Sequence, residues 1–161
     1  MKIIKLIFLF LSFSVQAEIL DLKWLDLVPE HEKEQVMLSV KQQMNMNNHD
    51  ETSTETAEQT LVGTVRNELN NTMVKIPGFV IPIEGTSMAV KEFLLVPFYG
   101  ACIHVPPPPQ NQLIHVVMED FAEIKGMWEV VYVTGNLTTQ TFKHDLASVG
   151  YRIDGSSIST R

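Results

Sequence analysis

The feature that most constrains the fold is a change of texture at Val74. From there the chain runs in short apolar stretches rich in Val and Ile, broken by Pro, Gly and Asn. Residues of that type suit a pleated, half-buried surface, and the breakers mark turns, so the pattern predicts strands. The predicted strands are Val74 to Ile83, 90 to 96, a segment near Cys102 to Val105, 113 to 118, 128 to 134, and Gly150 to Ile153. Pro77-Gly78 inside the first should force a bulge and exchange its inward and outward faces, because proline has no ladder donor. In the run from Trp128 to Thr134 both alternating sets carry apolar residues, as in a sheet that closes on itself.

Five or so short strands in about 80 residues, with one or two short helices before them, predict a mainly β (α+β) chain built as a small OB-like Greek-key barrel, with a β-sandwich as the rival. One helix is expected near 30 to 43, where Pro29 and the acidic Glu30, Glu32 and Glu34 suit a helix start. A second is expected around 57 to 69, where Leu61, Val62, Val65 and Leu69 recur at helical spacing. Between them, Gln42 to Thr60 is polar and reads as a linker. The division is therefore 1–17 as a signal peptide, 18–60 as a helical segment with its linker, and 61–161 as the barrel.

The signal peptide rests on Lys2 and Lys5, the apolar run Leu6 to Val15, and Ala17 ending a small-x-small pattern. That run is shorter than the roughly 18 to 20 apolar residues of a membrane span, so a chain cut after Ala17 is expected to be free in the periplasm. Of 12 basic residues, the signal removes Lys2 and Lys5; the remaining 10 face 19 acidic ones, a mature formal charge of −9. Such a surface repels phosphates, and there is no basic stripe with interleaved aromatics, which argues against nucleic acid.

The one cysteine, Cys102, has no intrachain partner for a disulfide even in an oxidising compartment, so the fold must stand on its core. On a strand, Cys102 and His104 would share a face with their Cα atoms about 6 to 7 Å apart, within reach of one metal ion. Zinc accepts both thiolate and imidazole, and His115, Glu92 or water could complete the set. The bland alternative is a packed thiol and a hydrogen-bonded histidine. An enzyme reading makes Cys102 a nucleophile and His104 its base, with Gly100-Ala101 a weak hint of an oxyanion site, but a redox role lacks a resolving cysteine. Pro106, Pro107, Pro108 and Pro109 should form a stiff polyproline II ridge. It is either a partner surface, with Tyr99, Phe98 and Asn111 as neighbours, or a rigid connection into the next strand.

Two blocks are distinctive: Lys75-Ile76-Pro77-Gly78-Phe79-Val80-Ile81-Pro82-Ile83-Glu84-Gly85, and Glu92 to Gln112 with its Cys102-Ile103-His104 and four prolines. Together with Trp24, Pro29, Trp128 and Val133-Thr134-Gly135 they resemble a family of bacterial exported proteins known as domain of unknown function 3299. The resemblance implies a periplasmic accessory protein, of a kind often encoded beside MacB-type ABC transporters and genes responsive to zinc scarcity. It implies no reaction. The expectation is thus a non-enzymatic accessory or binding protein, with ABC transporter components as partners and zinc as the candidate cofactor. A metal-binding protein using Cys102 and His104 is the alternative, and a thiol enzyme the third.

Overall fold

The computed structural model describes residues 18–46, 59, 63–101, 107–143 and 147–160. The expected signal peptide, most of the polar linker, and Cys102, His104 and Pro106 lie outside them. Among the described residues no helix is long and apolar enough to cross a membrane.

In chain order the elements are β1 (Leu20–Asp21), α1 (Lys33–Met46), β2 (Thr72–Gly85), β3 (Ala89–Val96), β4 (Ile114–Glu123), β5 (Val131–Thr138), β6 (Phe142–Lys143), β7 (Ser148–Val149) and β8 (Tyr151–Thr160). β2, β3 and β4 form an antiparallel meander; β8 then lies parallel to β4 and antiparallel to β5, and β5 returns to β2. The ring β2-β3-β4-β8-β5 is a closed five-stranded barrel, and the parallel step between its third and last strands is the Greek-key crossing of an OB-like fold. β1 adds to β2 in parallel, and β6 and β7 form a separate hairpin.

Alternation fills the barrel. Val74, Ile76 and Val80 from β2, Phe93 and Leu95 from β3, Ile114 and Val116 from β4, Val131, Val133 and Leu137 from β5, and Tyr151 and Ile153 from β8 share one buried cluster. A second apolar cluster coats the outside of the barrel. Ile81, Leu94 and Val96 there meet Phe98, Ala101, Leu113, Ala147 and Val149, with Val40 of α1 packed against them.

Several sequence expectations are corrected. Pro77-Gly78 makes no bulge: the pairing of β2 with β5 runs unbroken through Pro77↔Tyr132 and Gly78↔Val131, and the register shifts come later, around Glu84. The carbonyl of Pro77 accepts from Trp24 Nε1 at 2.8 Å. A strand residue aims its nitrogen and its carbonyl to the same side, so the missing N–H of Pro77 faces the edge beyond β1 and costs no ladder bond. The helix expected at 57–69 is absent from 63–66. Gly63 has φ +139° and a 3-10 turn occupies Asn67–Leu69. The helix near 30–43 is present, but opens with a 3-10 turn at Glu30–Glu32 and runs on to Met46.

β5 starts later than expected because a turn, closed by Glu129 N donating to Gly126 O at 3.2 Å, takes up Trp128. Gly135 lies within β5 instead of ending it: a Cβ there would sit 2.3 Å from the carbonyl oxygen of Asp154, so only glycine admits β8 that closely. β8 continues to Thr160, well past Ile153, because its Ser- and Thr-rich half pairs with β5.

Candidate functional site

The outer wall of β3 and β4 holds the ligand-type side chains. The register Leu94↔His115 and Glu92↔Val117, with Phe93 and Leu95 turned into the barrel, sends Glu92, Leu94 and His115 to the outside. His115 is nonetheless 2% exposed. Its Nε2 lies 2.7 Å from Glu92 Oε1, a diagonal contact between neighbouring strands. A carboxylate at that distance holds the imidazole ring in one orientation, as carboxylates commonly do behind metal-binding histidines. On the parallel strand beside it, Arg152 is the register partner of His115 and is engaged by Asp154, Nη2 to Oδ1 2.8 Å.

The connection from β3 to β4 carries the residues singled out in the sequence. Tyr99 is 57% exposed, its ring edge-on to Phe79 with centroids 6.1 Å apart. Ala101 and Leu113 belong to the same outer cluster as Leu94, the cross-strand partner of His115. The described ends of this connection therefore sit on the wall that holds Glu92 and His115. Cys102 and His104 fall between those ends, outside the described residues. Among the described residues no group of three or more His, Cys, Asp or Glu is placed to hold a metal ion. His115 fits one position of a tetrahedral zinc set, with Glu92 behind it as the orienting carboxylate.

Beyond Pro106 the proline ridge turns inward. Pro108 and Pro109 are buried and Pro107 is half-buried. Their carbonyls serve this chain: Gln43 Nε2 donates to Pro107 O at 3.3 Å and Gln59 Nε2 to Pro108 O at 2.8 Å. Asn111, expected beside a partner surface, is 0% exposed and donates to Thr64 O at 3.1 Å. Gln110 Nε2 reaches Gly63 O at 2.6 Å, and Gln112 Nε2 reaches Trp24 O at 3.0 Å. Three successive amides thus hold two distant segments to the barrel. Of the six residues expected at a partner surface, Tyr99 and Pro107 are the described ones that keep exposed area.

Sequence reasoning missed this amide clamp and the two groups that complete it. Glu32 accepts from the hydroxyl and the amide of Thr64. Burial pushes its carboxyl upward, but the Thr64 hydrogen bonds, aided by His31, outweigh that and hold it below the usual carboxylate range. The Tyr151 hydroxyl accepts from Arg66 N and donates to Leu27 O, each at 2.6 Å, and burial pushes its pKa up to about 12. The signal available in the sequence was three amide side chains in a row directly after four prolines.

No curated protein matches the chain. A crystal structure of a DUF3299 family protein from Pseudomonas aeruginosa PAO1 is similar to it, with 27% identity, a TM-score of 0.67, and coverage of 89% of this chain and 97% of that one. The family model described as protein of unknown function (DUF3299) matches residues 24–160. The chain belongs to the DUF3299 family.

Proposed function

We propose that this chain is an exported, non-enzymatic accessory protein that binds zinc and serves an ABC transport system in the periplasm. The observation that carries the reading is the 2.7 Å contact of Glu92 with His115 on the wall where the Cys102-Ile103-His104 connection is anchored. In this reading Cys102, His104 and His115 are ligands, and Glu92 orients His115. The burial of His115 supports binding over catalysis, since a bare ion needs far less access than an organic substrate. Tyr99 and Pro107, on the same connection, are the residues offered to a transporter component.

Titrating zinc into the metal-free mature chain, in competition with a chromophoric chelator, tests this. One ion per chain is expected, with marked weakening in Cys102→Ser and His104→Ala, and a loss of roughly 10- to 100-fold in Glu92→Gln. Absence of stoichiometric binding, or binding that all three variants leave unchanged, refutes it.

A further inference from the structure

A cleft of about 220 Å³, whose lining includes neither Glu92 nor His115, opens between α1 and the turn at Trp24–Leu27. Val36, Met37 and Met44 line one side of it, and Trp24 and Leu25 line the other. Val36 is buried, whereas Met37 and Met44 are 51% and 50% exposed. Two polar side chains of the walls are already engaged: Trp24 Nε1 donates to Pro77 O, and Gln112 Nε2 donates to the carbonyls of Trp24 and Asn111. Lys41 is the charged residue of the lining, and no ion pair of Lys41 occurs among the described residues.

We propose that this cleft binds a free aliphatic carboxylate, its tail between α1 and Trp24 and its head group on Lys41. The volume lies below the roughly 300 to 1,000 Å³ of pockets for drug-sized ligands, which suits a single slender chain. Thioethers adapt their shape to such a chain and contact it well. A peptide would bring many backbone donors and acceptors into a largely apolar lining that offers them little beyond Lys41. Lys41, the charged residue of an otherwise apolar lining, favours an anionic head. The site is independent of the zinc reading and shares no ligand with it.

The test uses Trp24 as the reporter. The chain has two tryptophans, so Trp128→Phe leaves Trp24 alone. Decanoate, added to the mature protein below the concentration at which it forms micelles, is expected to shift Trp24 emission saturably. Calorimetry on the unaltered chain is expected to give one site. Lys41→Gln is expected to weaken decanoate by roughly two- to five-fold and to leave decanol unchanged, as fits one exposed ion pair. Met44→Glu, a change at an exposed side chain, is expected to abolish binding of both. The proposal is overturned if neither measurement shows saturable binding, if Lys41→Gln leaves decanoate affinity unchanged, or if Trp24 responds to phosphatidylglycerol vesicles and not to dissolved decanoate.

Discussion

The hydroxyl of Tyr151 donates to the carbonyl of Leu27 at 2.6 Å, joining the first residue of the last barrel strand to the turn that precedes α1. The same oxygen accepts from the amide of Arg66, so one buried phenol satisfies two segments that have no ladder of their own there.

Tyr151→Phe keeps the ring in the core but leaves the Arg66 N–H and the Leu27 carbonyl unpaired. The cost is expected to be about 1 to 3 kcal/mol, the usual penalty for orphaned buried polar groups. Urea unfolding checks this. A lower midpoint with an unchanged slope is expected, since the folded surface stays the same.

Glu32 gives the N-terminal segment a pH dependence. Its carboxyl lies below its ordinary value of 4.5 in the folded chain, so its contribution to stability is fully present above that value and is lost as pH falls through the depressed one. Glu32→Gln keeps the shape and removes the charge. It is expected to be less stable than the parent near neutrality, with the gap closing as acid protonates Glu32 in the parent. Stability curves of the two proteins from pH 7 down to pH 3 decide the point; a gap constant across that range contradicts it.

Gly135→Ala places a methyl 2.3 Å from the Asp154 carbonyl oxygen, which belongs to a strand that cannot retreat without opening the barrel. Overpacking of this kind costs about 1 to 3 kcal/mol, and here backbone, not a flexible side chain, must move. Thermal unfolding is the check. Hydrogen exchange should also show loosened amides on β5 and β8 before the rest of the barrel.

The barrel was legible in the sequence because its interior obeys a period of two over most of its length, from Val74, Ile76 and Val80 through Val131 and Val133. The ends of the strands were less so. Ser156 to Thr160 carries a polar outer face that reads as a tail, and Gly135 reads as a stop until the close approach of Asp154 is known. Pro77 was misread because its cost depends on which edge its nitrogen faces, a fact of three-dimensional pairing. The type of His115 pointed to ligation, yet its contact with Glu92 follows from the register of β3 against β4. The amide clamp was hard to read for a plainer reason: Gln110, Asn111 and Gln112 meet partners 47 to 88 positions away, and no local pattern encodes such distances.

X-ray absorption at the zinc edge of the zinc-loaded protein tests the central claim most directly. The account expects one sulfur at about 2.3 Å together with imidazole nitrogens at about 2.0 to 2.1 Å, the sulfur vanishing in Cys102→Ser and the imidazole signal shrinking in His115→Gln. A shell of oxygen and nitrogen alone, identical in the parent and in both variants, would contradict it.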